Sequence, residues 1–343
     1  MNIDIKEIAR KAGVSIATVS RTLNGKGPVR EETRRRIIQI AREYNYKPNP
    51  IARGLSRRQT DTIGVILPEL MDEFFMDLIH SIDEEAYRAN RFVMISSSHS
   101  QRNIVETLIE FMGSGRVDGV ILMASELDSS VVELLKKSKR PIVLLNASKQ
   151  INSMVSFNVN NYQGAMAIVE HLIGHGFRNI AIIKGPQGNC DADERFKGYT
   201  EALSAHGIAL QEELIVAGNF TIQAGYYGLM RLMSQPQKPD AIFAANDMMA
   251  LGAYEAARSS HIQIPRDVAI TGFDDIFLSR LLTPRLTTVH VPIFELGSKA
   301  VRYLLRMISG DVNPGYPYRE ELTAGVILGG SCGCANPTTQ LLL

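Results

Sequence analysis

From Asp61 onward the sequence alternates between short apolar runs and longer amphipathic stretches. Eight runs of five or six residues are predicted to be buried strands, at 62–67, 92–96, 119–123, 142–146, 155–159, 180–184, 241–245 and 268–272. Between most of them lie segments with helical spacing of apolar residues, among them 74–89, 103–114, 162–175, 193–205, 222–233 and 247–259. Strands that alternate with helices form parallel sheets through right-handed crossovers. We therefore predict an α/β fold with two doubly wound lobes, since the strands fall into two groups that separate near Asn160.

The N-terminal stretch has a different pattern, typical of short helices. Asp4 and Glu7 have the spacing of an N-terminal capping pattern, followed by an apolar helical stripe that ends at Ala12. Gly13 can adopt the left-handed conformation of a sharp turn, and Ser15 can cap a second helix. This order of helix, short turn and helix is that of a helix-turn-helix, although an ordinary helical hairpin with a polar outer face has the same pattern.

The outer face of the second helix suits contact with DNA. Short hydrogen-bond donors, small side chains and an Arg can lie against phosphates and base edges in a major groove. The residues that we assign to DNA contact here are Ser15, Ile16, Ala17, Thr18, Ser20, Arg21 and Asn24.

The charge distribution distinguishes a DNA-binding helix-turn-helix from an ordinary helical hairpin. Residues 1–60 contain fourteen Lys and Arg against five Asp and Glu, a net charge of +9. The whole chain has a net charge of +1, so residues 61–343 carry −8. A basic head on an acidic body is the distribution expected when only the head meets a polyphosphate. We therefore predict that the head binds double-stranded DNA.

A third helix is predicted from about Glu31 to Tyr44. Ile37, Ala41 and Tyr44 recur with helical spacing and would close a small core against the first two helices. The three consecutive arginines at 34–36 would then remain at the surface.

Two segments now carry a resemblance to a known family. AGVSIATVSRTLN, from Ala12 to Asn24, and NYKPNPIARGL, which begins at Asn45, resemble the start of the lactose/galactose repressor family of bacterial transcription regulators, and the similarity continues to near residue 330. The resemblance implies an all-α helix-turn-helix head, a hinge helix and a two-lobed periplasmic-binding-protein-like core. Arg30 stands where the family usually has a capping Ser, and Asn45 where it has a helix-ending Gly; Asn tolerates that conformation.

The domain boundaries follow from this organisation. We predict a DNA-binding domain at 1–47, a hinge at 48–60, a core at 61–332 and a tail at 333–343. Within the core, one lobe would comprise 61–160 plus 292–322, and the other 161–291 plus 323–332. In the family the late helical segment 293–309 returns to the first lobe.

The hinge segment is balanced between two states. Asn49 and Pro50 favour a helix, but the segment is short and contains Gly54, so it is marginal as an isolated helix. An interdomain linker is therefore one interpretation. The resemblance implies a helix that forms on DNA, pairs with its dimer mate and contacts the minor groove through Ala52 and Leu55, with Leu55 as an apolar wedge.

A ligand site is predicted beyond the carboxyl ends of the strands, where open α/β sheets bind ligands. Asn246 and Asp274 follow two strands, and the loop that leads into a predicted helix carries Arg195. These match the positions where the family places an Asn, an Asp and an Arg in the cleft between the lobes. Arg and Asp can bind adjacent sugar hydroxyls or the edge of a nucleobase. We interpret the neighbouring Asp247 and Asp275 only as helix caps.

Aromatic residues and a departure from the family complete the predicted effector site. Phe220 matches a position where the family stacks an aromatic ring on the ligand, and Phe74 or Phe75 could supply the opposite face, although such rings are also common in cores. Asn146 stands where several relatives have Asp, and Asn160 also replaces a common Asp. Both changes remove a negative charge, so no single relative's effector is carried over.

Other functional classes have less support. The composition, 45% hydrophobic and 21% charged, is that of a soluble globular protein, and no apolar run suggests a signal peptide or membrane span. We expect a cytoplasmic protein without a membrane partner, which argues against a secreted solute-binding protein. Nucleophile-elbow, P-loop and dinucleotide motifs are absent, so no enzyme activity and no cofactor are predicted.

The three cysteines are expected to be reduced thiols. Cys332 and Cys334 form a Cys-x-Cys pair that we expect to lack the further ligands of a zinc site, and we interpret the seven histidines as scattered along the chain, without a pair at helical metal-ligand spacing. No metal site is therefore predicted.

Together these observations predict a ligand-responsive transcription regulator. We expect a homodimer that binds a palindromic operator, most simply as a repressor of carbohydrate-related genes, with a sugar or sugar derivative as its small-molecule effector. Two alternatives keep the same DNA-binding role, one with a nucleobase effector and one with a protein co-regulator.

Overall fold

The computed structural model describes residues 3–23, 25, 27–46, 59–68, 72–97, 104–113, 115–123, 127, 129–138, 140–148, 154–313, 315–335 and 341–342. These belong to two compact units, residues 1–61 and residues 62–343. Asn24, Ala52, Leu55 and the rest of the predicted hinge up to residue 58 lie outside the described residues. Within the described ranges, no helix combines the length and the apolar character needed to cross a membrane.

The first unit contains three helices whose ends agree with the sequence signals. They are α1 (Ile5–Ala12), α2 (Ile16–Leu23) and α3 (Glu31–Glu43). The Asp4 carboxylate caps α1 by accepting a hydrogen bond from the Glu7 amide at 2.8 Å. Gly13 ends α1 with a φ of 66°, in the left-handed region that a glycine adopts without strain. The helix, turn and helix predicted from the sequence are therefore confirmed.

The core of this unit differs from the prediction at one aromatic residue. Ile8, Val19 and Ile37 are fully buried, and they pack with neighbouring alanines of α1 and α3. Tyr44, predicted to join this core, ends α3 and lies beneath the Lys11 ammonium, 4.7 Å from the ring centroid. Tyr46 packs against the core instead. The left-handed residue 45, with a φ of 49°, turns the chain between these two rings.

The second unit alternates strands and helices along most of its length. Its elements are β1 (Thr62–Leu67), α4 (Glu73–Arg88), β2 (Phe92–Ser97), α5 (Ile104–Gly113), β3 (Gly119–Met123), α6 (Ser129–Lys137), β4 (Ile142–Leu145), β5 (Val155–Val159), α7 (Asn161–Gly174), β6 (Ile180–Ile183), α8 (Cys190–Ala205), β7 (Ile215–Val216), α9 (Ile222–Met233), β8 (Ala241–Ala244), α10 (Asp247–Ser259), β9 (Ala269–Thr271), α11 (Phe277–Arg280), β10 (Thr288–His290), α12 (Ile293–Ser309), β11 (Tyr318–Leu322), β12 (Gly325–Ile327) and β13 (Leu341–Leu342).

Two parallel sheets define two lobes. The first has the strand order β11-β5-β4-β3-β1-β2, and the second has the order β7-β6-β8-β9. Their central strands are buried apolar runs, as expected for sheets covered by helices on both faces. A small antiparallel sheet, β10-β12-β13, completes the unit. The chain passes from one lobe to the other after β5, after β10 and after β11.

The helix α12 belongs to the first lobe, where it packs on α4 and on β3, β4 and β5. Its close approach to α4 depends on Gly297, because a Cβ added there would lie 1.9 Å from the Ser81 hydroxyl oxygen. Leu296, Ala300 and Leu304 are fully buried on the side of α12 that faces this lobe.

All eight predicted strands are present, and the helices predicted between them differ at their ends by a few residues at most. The prediction missed the helices α6 and α11 and the strands β7, β10, β11, β12 and β13. Four of these strands have only two or three residues, too few to form a recognisable apolar run. The fifth, β11, has the sequence YREEL and lies at the edge of its sheet with mostly exposed side chains. An edge strand does not need the apolar run of a central one.

Candidate functional site

A cleft open to solvent lies between the two lobes, beyond the carboxyl ends of strands from both sheets, and the empty space in and in front of it is about 550 Å³. Ligands bind at this end of open α/β sheets. The first lobe contributes Pro68, Asp72, Phe74, Phe75, Met123 and Asn146, and the second contributes Asn189, Asp191, Arg195, Phe220, Asn246 and Asp274.

The structure brings the six residues predicted from the sequence for effector binding to this one cleft. They are Phe74, Asn146, Arg195, Phe220, Asn246 and Asp274. The prediction missed Asp72 and Asp191, which lie at helix starts. Asp72 caps α4 by accepting a hydrogen bond from the Phe75 amide at 3.2 Å. An Asp before a helical repeat signals a cap, so the sequence pattern alone could not assign it to the wall of a site.

Arg195 lies inside α8, in the second turn of the helix, and not in the preceding loop as the sequence suggested. Its side chain is 6% exposed. The Nε atom donates a hydrogen bond to Asn161 Oδ1 at 2.8 Å, and Nη1 donates to the Ala245 carbonyl at 2.6 Å. The guanidinium also stacks on the Phe273 ring, 3.8 Å from its centroid. These contacts fix the orientation of the guanidinium before any ligand arrives.

Asp274 forms an ion pair with Arg195 but keeps unused capacity to accept a hydrogen bond. Its Oδ1 atom lies 3.1 Å from Arg195 Nη2, yet this contact lacks hydrogen-bond geometry, and Oδ1 has no hydrogen-bond donor among the described residues. Burial raises the pKa of the Asp274 carboxyl to about 7, although the Arg195 charge opposes the shift. Its φ of 117° is strained for a residue other than glycine, a feature that concentrates at functional sites.

Asn146 connects the two lobes through Asp191. Its Nδ2 atom donates a hydrogen bond across the cleft to Asp191 Oδ2 at 3.0 Å, and its Oδ1 atom accepts one from the Val159 amide at 3.1 Å. Asn161 Nδ2 donates to the other oxygen of Asp191 at 2.9 Å. Burial raises the pKa of the Asp191 carboxyl. An Asp at position 146 would place a second carboxylate beside it, whereas the Asn amide supplies a donor.

The aromatic residues on the cleft wall also pack against the hydrophobic core. Each of them therefore fits both interpretations made from the sequence, stacking on a ligand and packing in the core. Phe220 has a φ of 67°, and its ring lies so close to Gly185 that a Cβ there would be 2.4 Å from the ring. Phe74 and Phe75 meet edge to face, with ring centroids 5.5 Å apart. One lobe thus supplies the Phe74 and Phe75 pair and the other supplies Phe220.

Asn246 caps a helix, a role that we predicted for its neighbour Asp247. Its Oδ1 atom accepts a hydrogen bond from the Met249 amide at 2.9 Å and caps α10, while Nδ2 donates to the Phe220 carbonyl at 3.2 Å. Asn246, which we assigned to ligand binding from the sequence, thus lines the cleft and also caps a helix. Its contact with Phe220 also ties together two loops of the cleft wall.

The cap interpretation is wrong for Asp247 and Asp275. Asp247 accepts hydrogen bonds from the Ile276 amide at 3.0 Å and from the Thr288 hydroxyl at 2.6 Å. Asp275 forms an ion pair with Arg280 at 3.0 Å, and α11 has no side-chain cap. Both carboxylates hold together the segments behind the cleft and do not cap helices.

The face of α2 assigned to DNA contact is accessible in its own unit. Ser15, Ile16, Ala17 and Arg21 are exposed, and Thr18 and Ser20 are half-buried. Of these, Ala17 and Arg21 lie on the side of α2 opposite the buried Val19.

Three side chains on this face make hydrogen bonds within the helix-turn-helix. Arg21 Nε donates a hydrogen bond to the Ala17 carbonyl at 3.3 Å, and the Ser15 hydroxyl lies 2.9 Å from that of Thr18. Arg21 must therefore leave this internal contact to use its Nε on a base edge.

A group of four possible metal ligands was missed. His171 and His175 lie beside Cys332 and Cys334, which are about 160 residues away in the sequence. The histidines thus supply the side chains that the Cys-x-Cys pair was expected to lack. The overlooked signal was the spacing of the two histidines, four residues apart on one predicted helix.

Comparisons with known families agree with this architecture. The family model described as bacterial regulatory proteins, lacI family, matches residues 4–49. The model of a periplasmic-binding-protein-like domain matches residues 169–332. These matches cover the helix-turn-helix and most of the second lobe.

Relatives and solved structures extend the similarity over nearly the whole chain. Catabolite control protein A from Priestia megaterium is 34% identical over 310 residues, which span 90% of this chain and 93% of that protein. The lac repressor dimer bound to operator and an anti-inducer has a TM-score of 0.85 and 27% identity, covering 97% of this chain and 99% of the other. A complex of the regulator CelR with cellobiose has a TM-score of 0.73 and 28% identity, covering 96% and 100%.

The helix-turn-helix, the two parallel-sheet lobes with a cleft between them and this similarity lead to one conclusion. The resemblance and the fold class inferred from the sequence are confirmed. The chain belongs to the lacI family of bacterial regulatory proteins and is a ligand-responsive, DNA-binding transcription regulator, not an enzyme.

Proposed function

We propose that this regulator represses carbohydrate-related genes and that a sugar or sugar derivative in the cleft between the lobes switches it. The observation that carries the proposal is the buried pair of Arg195 and Asp274. The guanidinium of Arg195 is fixed, and Oδ1 of Asp274 has no hydrogen-bond donor within the part of the chain that the structure describes. A sugar hydroxyl can donate to Asp274 while a neighbouring hydroxyl accepts from Arg195.

The apolar part of the cleft supports the same class of ligand. Sugar rings have apolar faces and a polar rim, so they bind where aromatic rings stand next to a few fixed polar groups. Phe74 and Phe220 supply rings from opposite lobes next to Arg195 and Asp274. The related CelR structure holds cellobiose, which is a disaccharide.

A nucleobase is the second candidate effector. A planar base can stack on Phe220 and bind its edge to the Asn246 amide or to the carboxylate of Asp274. These groups therefore suit both a sugar and a nucleobase, and direct binding measurements must decide between the two classes of effector.

We propose that DNA is bound as a palindromic operator by a homodimer. A single three-helix head makes few base contacts, and two heads related by a two-fold axis match a palindromic site. On each head, the assigned surface consists of the exposed residues of α2, among which Arg21 is the only charged side chain. DNA contacts by Asn24, Ala52 and Leu55 are part of the same proposal, although these residues lie outside the described structure.

A thermal-shift screen of the full-length protein against sugars, sugar phosphates, nucleosides and purine bases tests the effector proposal. A ligand that binds only the folded protein stabilises it by about 2.7 kcal/mol at a concentration of 100 Kd. We expect a sugar or sugar derivative to raise the melting temperature and to change affinity for an operator selected from random DNA. If only nucleobases stabilise the protein, the nucleobase alternative is correct. If no compound does, a protein co-regulator is favoured.

A further inference from the structure

Four side chains that no part of the effector site uses converge at the carboxyl end of α7. His171 lies in the last turn of α7 and His175 directly follows that helix, so the two imidazoles lie on one side of it. Cys332 and Cys334 come from the segment after β12. The four donor atoms, two imidazole nitrogens and two sulfurs, all lie within 4.8 Å of one another.

The shorter distances between these donors are close to those of a tetrahedral site. Tetrahedral zinc, with Zn–S of about 2.3 Å and Zn–N of about 2.0 Å, places its ligand atoms roughly 3.3–3.8 Å apart. Here His171 Nε2 is 3.3 Å from Cys332 Sγ and 3.6 Å from Cys334 Sγ. His175 Nε2 is 3.2 Å from Cys334 Sγ, and the two sulfurs are 3.3 Å apart. The sulfur separation is far longer than the disulfide bond of about 2.05 Å.

We propose that His171, His175, Cys332 and Cys334 bind one zinc ion. Two thiolates and two imidazoles select a soft or borderline metal over magnesium or calcium, which prefer oxygen ligands. Two thiolates also balance the charge of a divalent cation. The resulting neutral centre suits this partly buried place, since Cys332 is fully buried and His175 is exposed.

The surroundings of Cys332 fit a thiolate ligand. The Thr287 hydroxyl oxygen lies 3.0 Å from Cys332 Sγ and already accepts a hydrogen bond from the Gly329 amide at 2.9 Å. Its own proton is therefore free to point at the sulfur, a hydrogen bond that supports a metal-bound thiolate. Gly333, between the two cysteines, has a φ of 92°, which turns the chain at little cost for a glycine.

The proposed ion would join parts of the second lobe that are distant in sequence. α7 packs against β10 and β12, the strands next to two of the three chain crossings between the lobes. The metal would tie α7 to the segment that follows β12. Because all four positions are occupied by protein side chains, the site has the composition of a structural centre and not of a catalytic one.

The test uses the full-length protein, purified under reducing conditions, and measures bound metal and Co²⁺ spectra. We expect close to one zinc per chain by mass spectrometry. In metal-free protein, added Co²⁺ should produce the strong visible bands of a tetrahedral centre and a sulfur-to-cobalt charge-transfer band in the near ultraviolet. Zinc should then displace the Co²⁺ and abolish these bands.

Variants separate ligands from bystanders. His175→Gln and Cys334→Ser, at positions that are not fully buried, should lose the zinc or weaken its binding at least tenfold. Cys190→Ser and His206→Gln should keep it, because these residues lie outside the cluster. Circular dichroism of each variant checks that it has folded. Substoichiometric zinc together with absent Co²⁺ bands in the reduced wild-type protein would overturn the proposal, as would full zinc occupancy in both ligand variants.

Discussion

The guanidinium of Arg195 and the carboxylate of Asp274 lie 3.1 Å apart with side chains only 6% and 8% exposed. Such a pair pays a large desolvation cost, which its mutual attraction offsets fully only when further hydrogen bonds satisfy both groups. Arg195 has these partners in Asn161 and Ala245, whereas Asp274 Oδ1 has none among the described residues. A ligand that donates a hydrogen bond to Asp274 would therefore complete the pair and bind with favourable energy.

The first prediction concerns Asp274→Asn. This change keeps the shape of the side chain but removes the charge that faces Arg195, so effector affinity should fall at least tenfold, since hydrogen bonds to charged groups contribute about 1.5–3 kcal/mol. Operator affinity without effector should stay within about twofold, because the residue belongs to the core unit and not to the DNA-binding helices. Calorimetry with the effector and fluorescence anisotropy with labelled operator measure the two affinities.

Glu213→Gln, at an exposed position of the same lobe, is the matched control and should change neither affinity. An Asp274→Asn protein with a normal effector response would show that the ligand binds elsewhere.

The second prediction concerns pH. The pKa of Asp274 is raised to about 7 from its ordinary 3.8, so the carboxyl is partly protonated near neutral pH. A ligand hydroxyl that donates to the carboxylate needs the ionised form. Effector affinity should therefore rise with pH below 7, by up to about tenfold per unit, and level off above it. Calorimetry across pH 5.5–8.5, roughly the range around this pKa, measures the profile.

The same shift predicts the sign of a stability change. Between pH values near 3.8 and 7, the folded protein holds a proton on Asp274 that the unfolded chain has lost. The contribution of this group to the free energy of unfolding is therefore highest below that window and declines as pH rises through it. Asp274→Asn should remove both this decline and the pH dependence of effector binding. A profile that is unchanged in the variant would assign the pH dependence to another group.

The third prediction concerns base recognition by Arg21. If this exposed side chain leaves the Ala17 carbonyl and binds a guanine with two hydrogen bonds, Arg21→Ala should cost ~1–3 kcal/mol on the cognate operator. The loss on random DNA should be much smaller, and both titrations must use one salt concentration. Arg10→Ala, on α1, is the control. Whether Arg10 contacts a phosphate or makes no contact, its loss should affect the affinity for both DNAs alike. If Arg21→Ala lowers the affinity for operator and for random DNA equally, Arg21 contacts a phosphate and not a base.

The central strands of this fold could be predicted because burial on both faces requires continuous apolar runs such as that of β3 (Gly119–Met123). The edge strand β11 could not, because its exposed side chains satisfy no comparable requirement. Likewise, helical periodicity predicted that Tyr44 would join the core. It could not show that the chain turns at residue 45 and brings Tyr46 to the core instead.

The effector cleft was predictable to the extent that strand ends define it. Asn246 and Asp274 follow strands directly, so topology alone places them at the same edge of the second lobe. Contacts that depend on the approach of two distant segments left no local signal. The hydrogen bond between Asn146 and Asp191 joins the two lobes, and the cluster of histidines and cysteines brings together residues about 160 positions apart.

The last prediction concerns the contact between the lobes. Asn146→Asp keeps the acceptor that binds the Val159 amide but replaces the donor to Asp191 by a carboxylate, about 3 Å from another one in a buried place. Because like charges repel strongly there, the lobes should separate at neutral pH and effector affinity should fall. Small-angle scattering and calorimetry measure these changes. Lowering the pH should restore the contact, since one proton shared between two carboxyls removes the repulsion.

A second substitution makes this test specific. Asp191→Asn in the Asn146→Asp background exchanges the two side chains and leaves a single negative charge, with an amide again able to donate across the cleft. The double variant should recover most of the compact state and of the effector affinity, because one donor and one carboxylate again face each other. Asp191→Asn alone leaves two amides, which can still form one hydrogen bond, so it should weaken the contact less than Asn146→Asp does. If the double variant is as expanded as Asn146→Asp, the repulsion between positions 146 and 191 does not control the separation of the lobes.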